Sequence, residues 1–315
     1  MNRRHILVTG GAGFIGSHIA DAFLERGWRV SIIDNLSTGT RDNVDPRATL
    51  IEADLRDEKT FALVDELQPE VVCHEAAQVD VRTSVRDPAA DAEINVIASL
   101  RLLQKSHDVG VKRFLFASTG GAIYGDPVEV PQSEDHPRMP LSPYGCAKLA
   151  VEHYLDYYRK VHGLATVALR YANVYGPRQN AHGEAGVVAI FARKMLRGED
   201  VTINGNGEQT RDYVYVADVV AANVAAVERS LTGAYNVGTG VETSVNELHA
   251  RLADTAGTAR KPLHGPAKTG EQMRSVLDGR ALRELAHLPP PVPLYQGLTL
   301  TMEWFRQAQP DGTRR

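Results

Sequence analysis

Apolar positions in the first half of the chain switch repeatedly between two periods. HILVT (5–9), RVSIID (29–34), TLIEADL (49–55), EVVCHEA (70–76), KRFLFAS (112–118) and ATVALR (165–170) are short, β-branched or apolar runs and read as six strands. Stretches with helical spacing separate them, at 14–26, 57–66, 88–107 and 142–161. The first of these carries Ile15, Ile19, Ala22 and Phe23 along one face. Strand and helix in this alternation predict parallel βαβ units, hence an α/β fold with a Rossmann-type doubly wound parallel sheet.

The rhythm changes after residue 172. GPRQNAHGEAG (176–186) is a polar, glycine-rich loop, and a helical pattern covers 187–197. VTINGNGEQTRDYVYV (201–216) reads as two short strands around a glycine turn. Helical patterns follow at 218–229, 244–255 and 293–308, between loops holding Pro262, Pro266 and Pro289 to Pro291. The expected organisation is a Rossmann domain over 1–172 and a smaller α/β lobe over 173–315, with some crossing of chain between them. No internal repeat is evident, and the tail DGTRR (311–315) is expected to fray.

Composition narrows the function classes. With 315 residues, a formal net charge of −4 and 43% hydrophobic residues, the chain has no charge excess to favour nucleic acid or a membrane surface. Cys73 and Cys146 fit no metal spacing and read as reduced thiols. No leader pattern and no apolar run of about 20 residues is present, so a cytoplasmic protein is expected.

The chemistry begins at TGGAGFIG (9–16). Gly10, Gly13 and Gly16 lie between the first strand and a helix that opens with Phe14 and Ile15, where backbone N–H groups can approach a pyrophosphate. Asp34, at the end of the second strand, is placed to accept ribose hydroxyls and to repel a 2′-phosphate, so the expected cofactor is NAD rather than NADP. Asn35 adjoins it. Asp54 and Leu55 follow the third strand, where adenine would lie, and the small Ala76 and Ala77 follow the fourth. Further on, Tyr144 and Lys148 stand four residues apart on one helix face. A neighbouring ammonium favours phenolate, which is expected to lower the tyrosine pKa from about 10 toward a useful base. Ser118 and Thr119 close the fifth strand and complete a candidate acid–base set.

These motifs, in this order, resemble the extended short-chain dehydrogenase/reductases, specifically the sugar-nucleotide epimerases related to UDP-glucose 4-epimerase. TGGAGFIG, HEAAQVDVRTSV (74–85), STGGAIYG (118–125), YGCAK (144–148), LRYANVYGPRQ (169–179) and GEQTRDYVYVADV (207–219) carry the resemblance across nearly the whole chain. It implies tightly held NAD, with a UDP-sugar between the Rossmann domain and the C-terminal lobe. By position, Tyr144 resembles the base, Lys148 its electrostatic partner and ribose ligand, and Ser118 and Thr119 the hydroxyl-bearing strand end. Asn95 and Tyr171 fall at cofactor-pocket positions. Asn173 and Arg211 resemble ligands of the sugar diphosphate, and Val188, Thr202, Asn204, Lys268, Glu271 and Ser275 fall along the substrate wall.

The resemblance also frames the choice of reaction. Related dehydratases and decarboxylases carry an acid just after the strand-end hydroxyl, whereas this chain has Gly120 and Gly121. Without that acid the expected reaction is 4-epimerisation of UDP-glucose and UDP-galactose through a transient 4-keto sugar. The alternatives are a net oxidoreductase, a 4-epimerase of UDP-N-acetylhexosamines or another nucleotide sugar, and a non-catalytic NAD-binding protein. Three positions depart from the family pattern: Gly120, where many relatives have serine; Glu75, where an apolar residue is usual; and Lys268, where arginine commonly grips the diphosphate. Ser275 falls where a bulky residue excludes N-acetyl sugars, so the small serine implies that they are admitted. Family members are often dimers through the helices matching 88–107 and 142–161, so a homodimer is expected.

Overall fold

The structure is a computed structural model that describes residues 4–180, 186–267 and 272–308. In chain order, β1 (His5–Thr9), α1 (Phe14–Glu25), β2 (Arg29–Asp34), β3 (Thr49–Glu52), α2 (Glu58–Leu67) and β4 (Val71–His74) form the first half of a sheet. Next come α3 (Val81–Arg86), α4 (Pro88–Ala92), a π-helical turn (Glu93–Ile97), α5 (Ala98–Asp108), β5 (Arg113–Thr119), α6 (Gly120–Ile123), α7 (Pro143–His162) and β6 (Ala165–Tyr171). The remaining elements are β7 (Asn173–Tyr175), α8 (Val187–Leu196), β8 (Thr202–Asn204), β9 (Thr210–Arg211), β10 (Tyr213–Tyr215), α9 (Val216–Glu228), β11 (Gly233–Val237), β12 (Thr243–Ser244), α10 (Val245–Ala256), β13 (Leu263–Gly265), β14 (Arg274–Ser275), α11 (Arg280–Ala286) and α12 (Leu294–Ala308).

Seven strands form one parallel sheet in the order β11-β6-β5-β4-β1-β2-β3. The chain reverses direction across the sheet between β1 and β4, which opens a crevice at their carboxyl ends. On one face α1, α9 and α11 bury Phe23, Val219 and Leu282; on the other α2, α5 and α7 bury Phe61, Leu102 and Leu155. A separate core joins α8, α10 and α12 through Phe191, Leu252 and Met302.

Local chemistry explains the element that matters most. Helix α7 starts where the Ser142 hydroxyl accepts the Gly145 N–H at 3.1 Å, with Pro143 at its first position. It ends at Gly163, whose φ of 71° is the left-handed conformation glycine takes readily, after Arg159, Lys160 and His162 have set positive charge near the last carbonyls.

Three expectations needed correction. β3 stops at Glu52 because the Asp54 carboxylate accepts the Arg56 N–H at 2.9 Å and turns the chain. Residues 201–216 make no hairpin: β8 pairs with β13, β9 with β12 and β14, and β10 with β7. The main sheet also gains β11, which lies far along the chain beyond residue 172. The tail 311–315 lies outside the described residues. Both cysteines are free thiols, Cys73 buried in β4 and Cys146 exposed on α7.

Candidate active site

At the crevice, the glycines of the first turn are required by contact. Gly10 has a φ of 69°, and a Cβ there would lie 2.6 Å from the Ala76 nitrogen. A Cβ on Gly16 would lie 2.3 Å from the Gly10 carbonyl oxygen. The Gly13 N–H donates to that same oxygen at 3.0 Å, closing the turn. Phe14 and Ile15 then open α1, each half-buried, Phe14 against the C-terminal core and Ile15 against the core under the sheet. Among the described residues no side chain caps α1, and no acid stands in its first turn, so its positive end is left for an anion.

Asp34 is buried at the end of β2. Its Oδ2 accepts the Ala12 N–H at 3.0 Å and its Oδ1 the Leu36 N–H at 2.8 Å, leaving lone pairs for two hydroxyl donors. Asn35 donates to Asp54 at 2.8 Å rather than pointing free, and the Arg56 guanidinium holds the Asp54 carboxyl well below the usual carboxylate range. Leu55 packs against the core beside them. Ala76 and Ala77 follow β4, with the Ala76 N–H 3.4 Å from the Thr9 hydroxyl. Asn95, in the π-helical turn, spends both amide hydrogens on Gln78 O and Asp91 Oδ1, each at 2.9 Å. It shapes the loop after β4 from within.

Tyr144 and Lys148 share a face of α7. Lys148 is buried, its Nζ donates to the Ala117 carbonyl at 2.8 Å, and it lies 5.8 Å from the Tyr144 ring centre. Burial lowers its pKa to about 8, against the opposing pull of Glu75, Asp91 and Glu152. For Tyr144 the expected direction is overturned. Burial raises its pKa, and the negative charges of Asp91 and Glu75 raise it further, so the chain's own groups keep the phenol protonated. The Ser84 hydroxyl accepts the Tyr144 backbone N–H at 3.3 Å and helps seat the helix end.

Ser118 is not with them. Its side chain is buried and its hydroxyl donates to Glu152 at 2.5 Å, so its proton is committed away from the groove. Thr119, the next residue, projects to the other side of the strand. A Cβ on Gly121 would sit 3.8 Å from Thr119 Oγ1 and 3.9 Å from Ser275 Oγ, whereas one on Gly120 would strike Leu277 at 2.2 Å. Those two hydroxyls therefore face one spot, and position 120 has no room for a side chain.

The substrate-wall residues divide. Asn173 is exposed at the start of β7, and Arg211 lies on β9 beside Ser275 in register. Thr202 is exposed and Asn204 half-buried on β8. Val188 has its side chain buried in the C-terminal core with α10 and α12. Lys268 and Glu271 lie outside the described residues. Tyr171 donates to Glu75 at 3.0 Å and accepts from Asn223 at 2.8 Å. Sequence reading missed Asp91, Glu152 and the connection of Glu75 to this site. Glu152 had one available signal, its position one helical turn beyond Lys148.

A doubly wound sheet with a glycine turn, a ribose-type acid and a Tyr–Lys pair at one crevice defines a dinucleotide-dependent enzyme. The chain belongs to the NAD dependent epimerase/dehydratase family, whose model matches residues 6–238. It is 44% identical over 306 residues to the UDP-glucose 4-epimerase of Mycolicibacterium smegmatis, covering 95% of this chain and 98% of that one. The crystal structure of a Thermotoga maritima UDP-glucose 4-epimerase with UDP-glucose superposes with a TM-score of 0.94, at 48% identity, over 96% of this chain and 99% of that one. A Thermus thermophilus UDP-glucose 4-epimerase complexed with NAD gives 0.92 at 45% identity, over 97% and 100%. The uncapped α1, the three glycines and the Asp34 lone pairs fit NAD as the cofactor.

Proposed function

We propose that this protein is an isomerase that interconverts UDP-glucose and UDP-galactose at C4 with bound NAD. The observation that carries the choice of reaction is the composition of the spot facing Thr119. Thr119 and Ser275 bring hydroxyls to it, Gly121 brings no side chain, and Leu277 fills the space of residue 120. Among the described residues no carboxyl lies within 4 Å of a Cβ built on Gly121 to protonate or deprotonate a second sugar carbon, which supports a reaction confined to C4.

When bound, NAD supplies the hydride-accepting ring and, in its oxidised form, that ring's positive charge. The chain's part is proton handling and placement. Tyr144 takes the proton of the C4 hydroxyl and returns it at the same oxygen. Lys148, fixed by Ala117 and 5.8 Å from the Tyr144 ring centre, is the positive charge the chain itself brings to a phenol that burial, Asp91 and Glu75 keep protonated. Thr119 hydrogen-bonds the C4 oxygen as its charge develops. Asn173 and Arg211 hold the diphosphate, and the groove between sheet and C-terminal lobe leaves the sugar able to present either face. We assign 1–172 to the cofactor and 173–315 mainly to the substrate, with α9 and β11 crossing back to the sheet.

Incubation with UDP-glucose and chromatography of the products tests this reading. Interconversion with UDP-galactose and no net use of NAD is expected. Stoichiometric NADH would mark an oxidoreductase, and NAD binding without turnover a non-catalytic protein. Ser275 adds a second expectation, because its small side chain borders the same spot: the UDP-N-acetyl pair should also turn over measurably. Ser275→Tyr should abolish that activity while sparing the plain hexoses, and equal loss of both would remove Ser275 as the gate.

Asp34 sets the cofactor prediction. Binding of NADP should be weaker than NAD by at least about tenfold, since its 2′-phosphate would meet a buried carboxylate. Equal affinities in a titration would refute the assignment. The exposed apolar residues Ile97, Tyr154, Tyr157 and Val161 on the π-helical turn and α7 support a homodimer through these helices. A place in galactose metabolism in the cytoplasm accords with this substrate. No described helix is long and apolar enough to cross a membrane.

A further inference from the structure

Glu75 stands just past β4, where its backbone N–H donates to the Thr9 carbonyl at 3.1 Å. Its backbone thereby lies against Gly10, at the heart of the dinucleotide crevice. The side chain does not turn away. Oε1 accepts from the Tyr171 hydroxyl at 3.0 Å and from the Cys73 thiol at 3.5 Å. Asn223 on α9 ties this set together, donating to Tyr171 at 2.8 Å and holding its Oδ1 3.6 Å from the Cys73 sulfur, whose single proton it shares with Glu75. These contacts take up Oε1 alone, and Glu75 stays partly exposed.

A carboxyl is an expensive choice for this place if packing were its only purpose. Its charge acts on both members of the acid–base pair, pulling Lys148 up and pushing Tyr144 up. Any ring that exchanges hydride with the carbon whose hydroxyl Tyr144 serves must lie within a few ångströms of that hydroxyl. It therefore lies within the field of Glu75 as well. An oxidised nicotinamide is a cation and a reduced one is neutral, so a carboxylate whose charge reaches the ring favours the oxidised form.

We propose that Glu75 is a positioning residue for charge, and that its carboxylate holds the bound nicotinamide toward NAD⁺. The inference rests on the NAD-dependent reading above. The resting enzyme is thus kept ready to accept hydride, and the transient reduced state is driven to return it. Burial raises the Glu75 carboxyl to about 7, opposed by Tyr171, Cys73 and Lys148, so the effect has a pH window. The groups facing it are Cys73 from β4, Tyr171 from β6, Tyr144 and Lys148 from α7, and the neutral Asn223 from α9. With the carboxyl pKa raised, the charge and its influence are present above about pH 7 and fade below it.

The test is the reduction potential of bound NAD, read by nicotinamide absorbance against a redox couple of known potential. Glu75→Gln keeps an acceptor for Tyr171 and removes the charge; Glu75→Met restores an apolar side chain of similar length. At about pH 8 both variants should show a bound NADH/NAD⁺ ratio about tenfold higher than wild type, a rise of about 30 mV for a two-electron couple. At about pH 6 the three proteins should converge. A Glu75→Gln potential equal to wild type at about pH 8 overturns the proposal while leaving the cofactor reading intact. A wild-type protein that binds no nicotinamide would overturn both.

Discussion

Tyr144→Phe is expected to fold, to bind NAD normally and to lose at least about a hundredfold in turnover. The substitution removes one hydroxyl, and no hydrogen bond among the described residues depends on it. What seats the residue is its backbone N–H on Ser84 and its place on α7, both kept by phenylalanine. The loss should fall on kcat, because phenylalanine still fills the groove but has no proton to give or take. Near-normal turnover would remove Tyr144 from the mechanism and leave Thr119 as the main candidate for proton transfer. The raised Tyr144 pKa sharpens this expectation. Since burial, Asp91 and Glu75 all favour the phenol, the residue must be recruited as a base by positive charge at the moment of reaction.

That pKa shows where reading a sequence reaches its limit. The i, i+4 spacing of Tyr144 and Lys148 was visible because helix geometry alone brings them to one face. The carboxyls that act on the pair were not visible, because Glu75 and Asp91 reach it through the fold from other segments. The same division runs through the whole molecule. β1, β2 and the helices that follow them were legible as clean changes of period, and the glycine turn came with them. β11 was not, since GAYNV is short, starts at a glycine and joins its neighbour only after the chain has left the sheet and returned. The strands of 201–216 were legible as strands but not in their pairing, which depends on partners at 173–175, 243–244, 263–265 and 274–275. Ser118 and Thr119 are adjacent letters of equal chemical promise. Only the burial of Glu152 and Arg170 behind β5 and β6 separates them.

Arg170→Met should be the most destabilising single change around the site, costing about 3–5 kcal/mol. Arg170 and Glu152 pair at 2.7 Å with side chains only 2% and 5% exposed, so water screens neither charge. Arg170 Nε also donates to Glu152 Oε1 at 3.0 Å, and its Nη1 donates to the Tyr124 hydroxyl at 2.8 Å and the Glu134 carbonyl at 3.2 Å. Tyr124 in turn donates to Asn236 on β11 at 2.7 Å, so one guanidinium links α7, β6 and the returning strand. Methionine fills much of the volume but leaves the Glu152 carboxylate buried, with the Ser118 hydroxyl as its remaining hydrogen-bond donor among the described residues. Arg170→Met/Glu152→Leu removes both charges and should recover most of the loss, because the penalty comes from an unpaired charge and not from missing attraction. Denaturant titration of the three proteins checks this. A single-variant loss below about 1 kcal/mol, or no recovery in the double variant, would show that the pair is not held out of water as the geometry requires. The single variant should also lower turnover, by less than Tyr144→Phe, since Glu152 lies one turn beyond Lys148 and its release loosens the helix that presents the acid–base pair.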